Sequence, residues 1–199
     1  MEYDLYFSKD QYGRYKLDQY QVVLNSDAHP EQNKRQTFAV DAGHPTAQAL
    51  NLLEGRAVEQ EYRNALGERQ TAWVKLDFND KDNAGNFKRR EYHAHTDLEK
   101  ALEALPLREK ASHAEMEKLL QGLRNGERLA VDLVKDGKGI PVTLEVNASL
   151  KNVDLYNSNG KRVARSEALG ERKEKAPVVS LNQGNEEKER RKTGMAMNQ

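Results

Sequence analysis

Cysteine is absent from this 199-residue sequence. That excludes disulfides, thiol nucleophiles and thiolate metal sites, and it fits a reducing compartment. No apolar run approaches the roughly 18 residues that a membrane-spanning helix needs. The opening "MEYDLYFSKD" carries neither the basic nor the apolar region of a secretion signal. Neither sign of charge is in excess: 32 Lys and Arg balance 32 Asp and Glu. No global field favours a polyanion, so nucleic acid could be held only by a local basic patch. Catalytic signatures are missing as well. There is no G-x-S-x-G, H-E-x-x-H or P-loop, and "GKGIPV" lacks the third glycine of a dinucleotide fingerprint. Carboxylates are plentiful but stand among lysines and arginines at helical spacing, the pattern of a solvated face. The composition predicts a non-catalytic, soluble, cytoplasmic protein with no cofactor and no membrane contact.

What is present is a thin apolar framework. Hydrophobic residues make up 37% of the chain against 32% charged, and the mean hydropathy is −0.95. That is enough for one modest core or two thin ones. The first 40 residues alternate apolar and polar positions in "YDLYFS", "YQVVLN" and "QTFAVD", which reads as short antiparallel strands. A helix follows over about 46–54, opened by Pro45 and closed by Gly55, with Ala47, Leu50 and Leu53 as its apolar stripe. "RAVEQEYRN", "RQTAWVKLDFN" and "NFKRREYH" read as three strands. Two more helices are predicted at about 97–105 and 113–124. Their capping boxes are Thr96 with Glu99 and Ser112 with Glu115, and their stripes are Leu98, Ala101, Leu102, Leu105 and Met116, Leu119, Leu120, Leu123. In "GIPVTLEVN", Ile140, Val142, Leu144 and Val146 share a face, with "LAVDLV" before them across "KDGKG". "NVDLYNSNGKRVA" reads as a hairpin turning at Asn159 and Gly160.

Two stretches parallel each other: "LLEGRAVEQEYRNALGERQTAWVKLDFN" and "LRNGERLAVDLVKDGKGIPVTLEVN". Each gives a helix, a glycine junction, two strands and then a third. The expected architecture is α+β, with two helix-plus-antiparallel-meander units (α-β-β-β) and an N-terminal β extension. The expected boundaries are 1–40 for the extension, 41–110 and 111–166 for the two units, and 167–199 for a flexible charged tail. The tail lacks the apolar surface to offset its ordering entropy.

Three stretches carry candidate chemistry. "DKDNAGNFKRRE" places Asp80, Asp82, Gly85 and Glu91 at EF-hand loop positions. Ala84 stands where an oxygen ligand is required, however, and the flanks alternate as strands, so a hairpin turn is expected there. His93 and His95 project to one face of a strand and could begin a metal site with Asp97 near in sequence, but a third or fourth ligand is required and no spacing places another histidine, so no metal is expected. Lys88, Arg89 and Arg90, interleaved with Phe87 and Tyr92, could meet phosphate and bases. Alternation, however, puts Phe87, Arg89 and Glu91 on one side and Lys88, Arg90 and Tyr92 on the other, and an amphipathic edge strand protected by its charges is the preferred reading. Lys188, Arg190, Arg191 and Lys192 form a second basic cluster in the tail, opposed in part by Glu186, Glu187 and Glu189.

The stretch "LNLLEGRAVEQEYRN", followed by "AWVKLDFNDKDNAGNFKRREYH", "DLEKALEALPL" and "VTLEVNASLKNVDLYNSNGKRV", resembles a family of bacterial domains of unknown function. These are carried by accessory proteins of conjugative transposons and are also attached to topoisomerase-like proteins of the same elements. The resemblance spans about residues 37 to 165. It departs before "DLEKAL", where the family tends to have an aromatic and glycine-containing segment and this chain has "HAHT". The resemblance implies a non-catalytic module with a protein partner in the conjugation or DNA-processing machinery and weak, non-specific DNA contact. A protein-directed inhibitor or regulator, for example one acting in counter-defence, is the alternative.

Overall fold

The computed structural model describes residues 1–26, 29, 33–40, 45–63, 65–93 and 97–170. Among them the chain is mixed α+β, with ten strands in three antiparallel sheets and four α-helices. The first sheet is a meander of β1 (Glu2–Lys9), β2 (Tyr15–Leu24) and β3 (Lys34–Ala39). Helix α1 (Thr46–Leu53) leads into a second meander of β4 (Val58–Arg63), β5 (Arg69–Lys81) and β6 (Phe87–Tyr92). Helix α2 (Leu98–Glu103), a 3-10 turn (Arg108–Ala111) and α3 (His113–Arg124) come next. The third sheet runs β7 (Leu129–Lys135), β8 (Lys138–Asn147), β9 (Asn152–Tyr156) and β10 (Arg162–Val163), before α4 (Arg165–Ala168).

The helix ends follow capping chemistry. Ser112 accepts from the Glu115 amide at 3.3 Å, as its capping box requires. At α2 the cap is Asp97 rather than the expected Thr96: its carboxylate accepts from the Lys100 amide at 2.9 Å. An ionised acceptor at this end also meets the positive pole of the helix dipole. Helices α1 and α3 end alike. The amides of Gly55 and Arg56 return to Leu52 and Asn51, and those of Gly126 and Glu127 to Leu123 and Gly122, the Schellman pattern in both.

Two hydrophobic clusters form, and the middle sheet separates them. Val58, Val74 and Leu76 face one cluster, with Tyr20, Val22 and Phe38 of the first sheet and Ala49, Leu52 and Leu53 of α1. Ala57 and Trp73 belong to the other, with α2, α3 and the third sheet. Ala72, Trp73 and Val74 are consecutive buried residues for that reason: at this point β5 is covered on both faces. The expected packing of Val142, Leu144 and Val146 with Leu119, Leu120 and Leu123 is present in the second cluster.

The buried face of α1 is not the expected stripe. Leu53 is buried, but Ala47 is exposed and Leu50 only half-buried; Ala49, Asn51 and Leu52 complete the inner arc. Counting apolar residues misplaces the arc because Asn51, a polar residue, faces inward. Its Nδ2 donates to the Asn125 carbonyl at 2.6 Å, and its Oδ1 accepts from Arg56. Arg56 in turn donates through Nε to the Gly126 carbonyl at 2.7 Å and pairs with Glu54. Side chains from the α1 end thus satisfy the orphan carbonyls at the α3 end.

Candidate interaction surface

The basic strand is β6. Alternation falls as the sequence indicated: Phe87 is buried in the first cluster, and Tyr92 leans on the second. The cations between them are matched by acids. Lys88 Nζ lies 3.0 Å from Asp80, and Arg90 Nε donates to Asp77 at 2.7 Å. Arg89 donates to Gln60 at 2.7 Å and stands 3.7 Å from Glu91. The Asn79 amide, with Arg90 beside it, holds the Asp77 carboxyl below its ordinary pKa. Asp77 is therefore a standing counter-charge, and phosphate approaching β6 would compete with it. The tail cluster Lys188, Arg190, Arg191 and Lys192 lies outside the described residues.

The "DKDNAG" segment is a turn. Asp82 Oδ1 accepts from the amides of Ala84 at 2.9 Å and Asn86 at 2.8 Å, while the Gly85 amide returns to the Asp82 carbonyl. These donors, Asn86 first, lower the Asp82 pKa. The same Asx geometry recurs where Asp10 closes the β1–β2 turn and Asn157 the β9–β10 turn. In the last of these only Gly160 takes positive φ, so the two-residue I′ turn belongs instead to Asp136 (φ 51) and Gly137 (φ 73) between β7 and β8.

His93 meets Tyr62, not a metal-like set: its Nδ1 lies 3.0 Å from the Tyr62 hydroxyl, which also reaches Gln70 at 2.8 Å. Glu91 is 3.5 Å from its Nε2. His95 lies outside the described residues. Among those residues no three of His, Asp and Glu converge as ligands would. At the α1–α3–β4 junction a polar groove is likewise paired within itself. Arg124 sits 3.4 Å from Glu59 and 3.8 Å from Glu99, and Gln48 donates to Asn125 at 3.1 Å.

The surface that sequence reasoning missed is the N-terminal hairpin. Tyr20 and Val22 of β2 are buried at 4% and 0%, yet their direct partners Leu5 and Tyr3 on β1 are 55% and 39% exposed. Phe7 is 56% exposed, and Tyr12 and Tyr15 exceed 70%. Alternation made β1 a strand of an antiparallel sheet, as it is, but α1 packs against β2 and β3 while every residue of β1 is exposed. The signal available in the sequence was the uninterrupted "LYF" at 5–7, followed by Tyr12 in the turn and Tyr15 at the start of β2.

The strand edges differ in the same sense. Val134 of β7 donates to the Pro106 carbonyl at 2.7 Å, and Leu107 bridges Leu133, so a connecting segment covers that edge. At β3 the buried Gln36 amide exchanges two hydrogen bonds with the Phe87 backbone, which joins the first sheet to β6. β6 is charged at each of positions 88 to 91. Only β2 pairs with β1 among the described residues, and β1 carries Leu5, Tyr6 and Phe7 in its middle. No described helix is long and apolar enough to cross a membrane. Against family models, curated proteins and solved structures alike, the chain finds no match.

Proposed function

We propose that this chain is a non-catalytic, cytoplasmic binding module of a conjugative mobile element, assisting DNA processing or transfer through protein and weak DNA contacts. The element and its machinery rest on the family resemblance over residues 37 to 165. The docking half rests on one observation: an eight-residue outer strand, exposed along its length, with an aromatic and aliphatic middle. Monomeric proteins leave such edges bare rarely, because unpaired N–H and C=O groups beside apolar side chains recruit another strand. We read the hairpin as a surface for another polypeptide. Two α-β-β-β copies of one ancestral unit account for the matching helix ends at Gly55 and Gly126 and for the meanders that follow them.

The DNA half falls to the tail. Lys88 and Arg90 contact acids on the neighbouring strand and Arg89 contacts Glu91, whereas Lys188, Arg190, Arg191 and Lys192 cluster in sequence. At most about four phosphates can be neutralised there, so the log–log salt slope is no steeper than about −3 to −4. The test compares the intact chain with one ended after Leu169, on duplex and single-stranded oligonucleotides at low and moderate salt. Loss of binding on truncation is expected. Unchanged binding would transfer the contact to Lys88, Arg89 and Arg90. No binding by either form would remove the DNA role and favour the protein-directed regulator, a reading that the acid-matched charges of β6 support.

A further inference from the structure

We infer that the polypeptide taken by the β1 edge is a second copy of this chain, paired antiparallel through β1 about a two-fold axis normal to the sheet. This rests on the hairpin being a docking surface and names its occupant. The argument begins with the charge order along the strand. Glu2 and Asp4 stand at its start and Lys9 at its end, with Lys16 opposite Ser8 on β2. Asp4 and Lys16 have no partner among the described residues, while Glu2 accepts from Asn25 at 3.0 Å and Lys9 lies over the Tyr15 ring. A parallel copy would set acid beside acid and base beside base. An antiparallel copy brings the acidic start beside the other's basic end: with the axis at Tyr6, Asp4 meets Ser8 of the second copy, whose β2 neighbour Lys16 lies on the same face, while Glu2 meets Asp10, whose carboxylate Arg14 already pairs.

The pleat restricts the register further. A two-fold axis normal to the sheet keeps each face on its own side, so paired residue numbers must have an even sum. Centring the axis on Tyr6 places Leu5 against Phe7 of the second copy. Tyr3 then meets Lys9 of the second copy, a cation–π geometry. The exposed side chains Tyr3, Leu5 and Phe7 of the two copies then form one apolar patch at the centre of a six-stranded sheet, three strands from each. Beyond the eight-residue strand little else comes into contact, so the association is at the weak, concentration-dependent end of specific interfaces.

The test uses the full chain, whose lack of cysteine makes one engineered thiol a clean reporter. Sedimentation over a wide concentration range should show passage from the 22.7 kDa chain to its dimer. Tyr6→Cys should cross-link with itself under mild oxidation, and Glu2→Cys should not, since opposed Cβ atoms come within disulfide reach only near the axis. Glu2→Lys/Asp4→Lys and Lys9→Glu/Lys16→Glu should each be monomeric alone and should associate when mixed. These positions are exposed, and circular dichroism verifies that the variants remain folded. A wild-type chain that stays monomeric at every concentration overturns the proposal. So does self-association that ignores the charge reversals, or that disappears only when the chain ends after Leu169. If the wild type is monomeric, but Leu5→Asp/Phe7→Asp loses transfer-machinery proteins that wild type retains in a pull-down, the docking reading stands without the second copy. If neither changes, both fall.

Discussion

Gly126→Ala should destabilise the chain by an amount set by its neighbours, and a matched substitution elsewhere isolates that contribution. Gly126 ends α3 at φ +82, a left-handed conformation that costs an L-residue about 1 kcal/mol or somewhat more. An added Cβ would stand 2.6 Å from the Ala57 carbonyl oxygen and 2.9 Å from Val58 Cγ1. Neither can yield easily. Ala57, just before β4, and Val58, its first residue, sit between the two clusters at 1% and 0% exposure. Overpacking of this kind costs about 1–3 kcal/mol. The Arg56 bond to the Gly126 carbonyl is strained in the same shift. The total is about 2–5 kcal/mol. Gly67 provides the control: φ is +79, but a Cβ there meets nothing within 4 Å, so Gly67→Ala should cost only about 1 kcal/mol. Urea unfolding gives both values from midpoints at unchanged slope. Equal losses at the two positions would refute the junction between the α1 and α3 ends as a close-packed contact.

Four further outcomes follow from the same packing. Val142→Asp places a charge in the cluster with Leu119, Leu120 and Leu123, and should cost several kcal/mol in the same urea assay; a loss near zero would mean that Val142 is not enclosed. Asn51→Ala leaves the Asn125 carbonyl and Arg56 short of a partner and should cost about 1–3 kcal/mol, whereas Asn125→Ala, which keeps that carbonyl, should cost much less. Burial, with Tyr3 contributing, raises the Tyr20 pKa from 10.0 to about 12, so the neutral phenol is the form the fold favours. Its contribution is complete below about pH 10, where unfolded tyrosine begins to ionise, and declines as pH rises toward about 12. Tyr20→Phe should flatten that decline, and ultraviolet titration should find one late-ionising tyrosine fewer. Calcium or zinc added to metal-free protein should leave Tm unchanged; an upward shift abolished in His93→Ala/His95→Ala would establish the site that the sequence argued against.

Most of the local structure was legible in the residues themselves. Period-two alternation located β8 and its inward face, and the i, i+3, i+4 stripe located α3, because each pattern is imposed by backbone geometry within a single element. Ser112 announced its helix for the same reason: a cap is a bond between residues three apart. The "DKDNAG" turn was recognisable because an Asx side chain bonds its own backbone two and four residues on. What lay beyond the sequence depends on which face met which neighbour. Ala72, Trp73 and Val74 are buried together because cores lie on both sides of β5, and no pattern within the strand encodes that. Asn51 is inward because a second helix, some seventy residues on, ends with carbonyls that need donors. β1 has the alternation of a covered strand but is exposed throughout, while α1 packs on its neighbours β2 and β3. Propensity and capping are local energies that short stretches settle alone, whereas cover is a property of assembled elements and exists only once they have packed.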